Sequence, residues 1–300
     1  MKRKLLVLVC CLFVVINSMA QEWMTSLDAA KRLAIVQDKM IFMMWEGSMS
    51  YPLPVYITNE NGKSYYVKNL FESIPANEVI WDYFVPVSLS EHNYEEMYNA
   101  LKDKRSQAYK DKFNDDSIKI LDAAGNILNV EFTNSSYLNL SDLIEKYALD
   151  TSYLKAELTN YIKEKNFYSA YFLASKYLDY SILTNKAIRS KVVDLSEIYL
   201  KESLRFLEMN DFEDEIVLVE RTELLELYSL LIENRPRKVL RILNRMEKDG
   251  ISNTNESKVA FLKYGAHSLL GNTEEAKNHK ENVASIDLRK AQLITNIHLN

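Results

Sequence analysis

Beyond Cys11 this 300-residue chain contains no cysteine. Its only two, Cys10 and Cys11, lie in an N-terminal stretch that reads as a leader. A chain released from that stretch can form no disulfide. Thiol nucleophiles, cysteine–zinc sites and redox dithiols are likewise excluded for it. Glycine and proline are scarce, at 6 and 5 residues. So few breakers argue for long ordered elements and against a linker-rich chain. Positive charge is short in the first half: residues 21–150 carry 12 Lys and Arg against 20 Asp and Glu, whereas 151–300 carry 22 of each. Nucleic acid is a poor partner for such a surface, because affinity there rests on neutralising phosphates.

The leader has three parts. Lys2, Arg3 and Lys4 form a positive start, Leu5 to Ile16 an apolar run, and Ser18-Met19-Ala20 a small-residue cleavage site. This pattern predicts a signal peptide over residues 1–20, cut after Ala20. A membrane anchor or a buried helix is the other reading of such a run, but the run is shorter than the roughly 20 apolar residues a span needs. No small-residue box precedes Cys10 and Cys11, which argues against lipidation. No later segment is apolar enough to cross a bilayer, so the chain is expected to be exported, periplasmic or secreted, with no span after cleavage.

Residues 21–150 mix helix and strand signals. Thr25, with Asp28 three residues on, predicts a capped helix carrying Leu27, Ala30, Leu33 and Ala34 at helical spacing. Met40 to Trp45 is an unbroken apolar run, as in a strand buried on both faces. Val55–Thr58 and Tyr65–Val67 flank a loop with Asn61-Gly62 and read as a hairpin. Phe84 to Ser88 reads as a strand, Tyr94 to Ala108 as one helix, and Ser117 to Leu121 as a strand. The turn Asp122-Ala123-Ala124-Gly125 leads to a hairpin partner over Ile127–Phe132, and a helix over Leu140–Tyr147 closes the half.

Several of these stretches resemble the thioredoxin-like fold, in particular its exported members. The resemblance rests on Trp23 and the helix at Ala29-Ala30, on Asp38-Lys39-Met40-Ile41-Phe42 leading into the first strand, and on Phe84-Val85-Pro86-Val87. It rests also on Ile118 to Gly125, which matches the family's strand and D-x-x-G turn. The resemblance implies a Cys-Gly-Pro-Cys motif just after the first strand. Ser50-Tyr51-Pro52-Leu53 is the matching register: Pro52 is kept, and Ser50 and Leu53 replace both cysteines. It also implies a cis-proline before Ser117, where this chain has Asp116. A serine hydroxyl without an adjacent base cannot replace a low-pKa thiolate. The expected domain over 21–150 is therefore thioredoxin-like and redox-inactive, with a hairpin over Val55–Val67 inserted beside the remodelled motif.

Trp45, Tyr51, Tyr56, Tyr65 and Tyr66 cluster in sequence around that motif. They read either as an aromatic recognition surface or as strand core and cross-strand hairpin pairs. His92, with Glu91, Glu95 and Glu96, reads either as acid–base or metal-binding chemistry or as a solvated helix start whose carboxylates favour the helix dipole.

From residue 151 the strand signals stop. Helices are predicted over Leu154–Lys165, Tyr168–Leu178, Lys186–Met209, Glu223–Glu233, Arg237–Met246, Ser257–Leu270 and Thr273–Val283. Three turns share a pattern in which a small or β-branched residue, Ala170, Val239 or Ala276, follows a polar helix end. Gly271-Asn272-Thr273-Glu274-Glu275-Ala276 resembles the turn of a tetratricopeptide repeat, although the spacing of the three anchors does not keep a clean repeat length. An all-α domain over 151–300 is expected, either TPR-like or a plain bundle. The acidic run Asp211-Phe212-Glu213-Asp214-Glu215 lacks the alternation and glycine of a calcium loop. His267 and His279 lie on neighbouring helices and could meet, without a carboxylate pattern for metal.

Taken together, these features predict a non-catalytic, thioredoxin-fold protein of the cell envelope that binds a protein or peptide. No cofactor and no metal are expected. Helical stacks build extended concave surfaces suited to such binding. Two other readings use the same residues. One is an accessory protein that binds thiol oxidoreductases or their clients. The other is an enzyme of a different class using Glu46, Ser50 or His92.

Overall fold

The computed structural model describes residues 22–59, 61–131 and 137–299. The expected leader, with Cys10 and Cys11, lies outside them, as do Phe132 and the four residues after it. The chain divides into two compact units between Asp150 and Thr151: an α/β unit and a helical one.

The first unit opens with α1 (Leu27–Gln37), capped by Ser26, whose Oγ accepts from Ala29 N at 3.4 Å. The cap is thus one residue later than the expected Thr25. Asp38 ends α1 in the left-handed conformation, φ 56°, and turns the chain into β1 (Met40–Trp45). An extension containing Glu46–Ser50, a short 3-10 helix, leads to the hairpin β2 (Val55–Thr58) and β3 (Ser64–Val67). Then come α2 (Ile74–Tyr83) and β4 (Phe84–Leu89).

The helix expected over Tyr94–Ala108 is two helices, α3 (Glu91–Leu101) and α4 (Gln107–Asn114). Lys102-Asp103-Lys104-Arg105 offers no apolar residue to continue a buried face, and Ser106 caps a new helix by accepting from Tyr109 N at 3.4 Å. β5 (Ile118–Leu121), β6 (Ile127–Glu131), β7 (Leu138–Asn139) and α5 (Leu140–Tyr147) complete the unit.

The main sheet has the order β4-β1-β5-β6. β1 and β4 are parallel, Met40 opposite Phe84 through Trp45 opposite Leu89; β5 is antiparallel to β1, and β6 to β5. Ile41, Phe42, Met43, Ile118, Ile120 and Leu121 are all buried, so the central strands are covered on both faces. The hairpin belongs to a second sheet, β3-β2-β7, in which β2 runs parallel to β7.

The Asp122–Gly125 turn shows why the sequence folds as it does here. Buried Asp122 accepts from Ala124 N at 3.0 Å and Asn126 N at 2.9 Å. Gly125 sits at φ +93°, where a side chain would be strained.

In the second unit, α6 (Lys155–Lys163), α7 (Phe167–Leu183), α8 (Lys186–Glu208), α9 (Glu215–Ile232), α10 (Pro236–Asp249), α11 (Glu256–Leu269), α12 (Thr273–Lys280) and α13 (Ser285–Leu299) pack mainly as sequential neighbours. Sequence reasoning starts α9 eight residues late and omits α13, which buries only Ala291 and Ile294 and so shows little periodicity. The three turn anchors Ala170, Val239 and Ala276 are buried. Asn166 forms a reciprocal capping box with Ser169 at the start of α7. The acidic run is the loop before α9; its Phe212 packs on Phe167 at 5.8 Å, and Glu215 lies in the helix's first turn.

Candidate functional site

β1 and β4 run in parallel and end together at Trp45 and Leu89, beside the amino end of β5. Loops that leave the carboxyl ends of parallel strands are where open sheets build ligand clefts. Two hollows lie at this end, and Asp116 lines both.

The first hollow, about 250 Å3, is lined by Ser48, Tyr51, Pro52, Leu53, Asp116 and Ile118 among others. It brings together two stretches more than sixty residues apart that the thioredoxin-like resemblance singles out. Tyr51, Pro52 and Leu53 line it; Ser50 is exposed and does not. Ser48 takes the inner position, and its Oγ donates to the carbonyl of Asp116 at 3.1 Å. The 3-10 turn over Glu46–Ser50 causes this. It draws Ser48 towards the sheet and turns Ser50 out, which strand and turn patterns do not reveal. Leu53 N donates to Asn69 Oδ1 at 3.2 Å, fixing the outer wall.

The loop before β5 is held by polar contacts. Asp115 Oδ1 accepts from Ser117 N at 2.8 Å. The ammonium of Lys119, fully buried on β5, donates to the carbonyls of Asp115 and of Ser117. Burial pushes its pKa down to about 8, against the pull of Asp115 and Asp116.

The second hollow, about 360 Å3, has walls of Trp45, Tyr94, Tyr98 and Phe113, with Glu91 and Glu95 on α3 beside Asp116. Tyr94 and Tyr98 ring centroids lie 5.3 and 6.1 Å from that of Phe113. The Tyr94 hydroxyl is buried with no hydrogen-bond partner among the described residues; burial, reinforced by Asp116, raises its pKa. Gly47 sets the position of Trp45: a Cβ there would lie 2.5 Å from the indole ring.

The five aromatic residues grouped by sequence do not form one surface. Trp45 belongs to the second hollow and Tyr51 to the first. Tyr56 faces Tyr66 across the hairpin at 5.3 Å and meets Tyr137 at 4.7 Å. Tyr65 is opposite Ile57, next along the strand from Tyr66, and so projects to the other face. His92 lines neither hollow. It is exposed on α3 and pairs with Glu96 at 3.2 Å, one helical turn away. Glu46 is exposed in the 3-10 turn. Sequence reasoning missed Tyr94, Tyr98 and Phe113; the signal for the two tyrosines is the spacing Glu91, Tyr94, Glu95, Tyr98, which places four side chains on one face of α3, whereas Phe113 lies on α4.

In the second unit, His267 and His279 do meet, stacked at 5.8 Å with an interplanar angle of 17°. Burial first, then Lys263 and His267, lower the pKa of His279. His279 also lines a hollow of about 670 Å3 in which Lys263 pairs with Glu247 at 2.5 Å. Among the described residues no group of three His, Cys, Asp or Glu side chains gathers as a metal site, and no helix is long and apolar enough to cross a membrane. No protein-family model, curated protein or solved structure matches the chain.

Proposed function

We propose that this protein is an exported, thioredoxin-like interaction module that binds a segment of polypeptide without redox chemistry, with its TPR-like helical unit as scaffold. One observation carries the reading. The two stretches that resemblance assigns to a thioredoxin-type active site line one cleft, and Ser48, Pro52 and Leu53 face Asp116 and Ile118 there with no thiol. The element order supports it: a helix, a strand, an inserted hairpin, a second strand, a helix, a third strand and its hairpin partner, then a helix follow one another as the sequence reading expects, apart from an added helix before β4, a split one after it and the short β7. Shape and chemistry agree with polypeptide binding. Exposed Tyr51 and Pro52 and half-buried Leu53 offer apolar contact, and polar groups on the opposite wall can fix orientation.

The test joins an activity and a binding measurement. The purified protein is expected to give no turnover in insulin-disulfide reduction. It is expected to bind members of a random decapeptide array, and the Tyr51→Ala/Leu53→Ala double variant, altered only at the cleft rim, should lose that binding about tenfold or more. Catalytic turnover of insulin, or an array with no bound peptide, overturns the reading.

A further inference from the structure

The second hollow differs from the first in its chemistry. Its walls are four aromatic rings drawn from three places: the end of β1, α3 and α4. Aromatic faces carry negative electrostatic potential and attract cations. Three carboxylates stand with them. Glu91 and Glu95 are one turn apart on α3, and Asp116 comes from the loop before β5. All three residues are exposed and so accessible at the mouth. Among the described residues no Lys, Arg or His forms a salt bridge with any of the three.

The fold already uses one of these rings in this way. The buried Lys119 ammonium lies 5.3 Å from the centroid of Tyr94. The volume, about 360 Å3, suits one long side chain and is small for a folded element.

We propose that this hollow receives a single arginine side chain presented by the polypeptide that occupies the neighbouring Ser48–Leu53 cleft. The inference rests on the polypeptide-binding reading above, because Asp116 lines both hollows and ties the two together. Arginine is favoured over lysine on geometry. A planar guanidinium stacks on aromatic faces and bonds carboxylates with two parallel N–H groups, while an ammonium does neither. The apolar stem of the side chain lies against Trp45 and Phe113, and the head meets Glu91, Glu95 and Asp116 at the mouth.

The experiment uses the same decapeptide array and the intact protein. Bound sequences should be enriched in arginine. Replacing that arginine with citrulline, which keeps the shape and removes the charge, should weaken binding about tenfold or more. The Glu91→Gln/Glu95→Gln variant, altered only at exposed side chains, should show a loss of similar size for the arginine peptide and almost none for the citrulline peptide. Raised salt should reduce the difference. Peptides that bind with no arginine enrichment, or that tolerate citrulline, overturn this proposal and leave the polypeptide-binding reading standing. If no peptide binds while agmatine does, with sensitivity to Glu91→Gln/Glu95→Gln, the hollow takes a free cation; both the peptide-borne arginine and the polypeptide reading then fail. Binding of neither probe also overturns the proposal.

Discussion

Lys119 in the first unit and Lys290 in the second are both taken into the fold, and their ammonium groups are pushed in opposite directions. Lys119 donates to the backbone carbonyls of Asp115 and Ser117. Burial dominates and brings its pKa down to about 8. Burial acts on Lys290 in the same sense. There Asp179 at 2.9 Å and Asp287 at 3.5 Å outweigh it and hold the pKa above its ordinary value. Carbonyl dipoles satisfy an ammonium's hydrogen bonds without cancelling its charge, whereas carboxylates do both. Around Lys290 the helical unit settles its charge internally: Asp179 also accepts from the Tyr228 hydroxyl at 3.0 Å, joining α7, α9 and α13, although burial lowers the pKa of Lys258 nearby on α11. The α/β unit leaves charge unsettled beside a cleft, where perturbed groups tend to mark function.

The helix starts divide in the same way. Among the described residues of the α/β unit each α-helix begins on a side-chain cap: Ser26, Ser73, Ser90, Ser106 and Asn139. In the helical unit α6, α9, α10, α11 and α12 have none. Asn166 and Asn185 also cap α7 and α8 in the helical unit, helices of 17 and 23 residues, whereas the capped helices of the α/β unit have only 8 to 11. In so short a helix the unpaired terminal N–H groups are a large share of the backbone, so one cap matters more.

Three measurements break or sharpen this contrast. The largest effect is expected at Lys119. Its folded-state pKa lies below the unfolded value, so the unfolded chain holds more protons between pH 8 and 10. Stability should therefore rise with pH across that window, by about 2–3 kcal/mol. Urea unfolding of Lys119→Met at the two pH values should lack this rise; an unchanged slope would place the charge penalty elsewhere. Next is Asp179→Asn, which leaves Lys290 with Asp287 alone and should cost about 1–3 kcal/mol in chemical denaturation. A loss as small as that of an exposed surface pair would mean that the helical unit does not settle its charge through this network. Smallest is Ser106→Ala, expected to cost about 1 kcal/mol. If hydrogen exchange over α4 stays unchanged, the importance assigned to caps in the short helices is wrong.

Some of the fold was legible in the chain. The unbroken run Met40–Trp45 is a strand buried on both faces, and Asn61-Gly62 sits in the turn of a hairpin, with Gly62 at φ +73°. Asp122 and Gly125 mark a turn that few other residues could make. The break between α3 and α4 is legible too, in four consecutive charged residues followed by Ser106. The candidate site was legible only in pieces. Tyr51, Pro52, Leu53 and Asp116 were found by resemblance, whereas Ser48 displaced Ser50 because of a 3-10 turn. Trp45 was grouped with tyrosines near it in sequence, although its partners Tyr94, Tyr98 and Phe113 lie about fifty residues away or more.

The sequence by itself determined the absence of thiol chemistry beyond Cys11, the order of strands before helices, and the strongest turns. Each is a matter of residue type or short-range pattern. Which side chains share a hollow was decided only by tertiary structure. The parallel pairing of β1 with β4 and the antiparallel return of β5 bring residues 45, 48, 94 and 116 to one end of one sheet. Local periodicity carries no information about such long-range pairing, because strand register is settled by packing across the whole sheet.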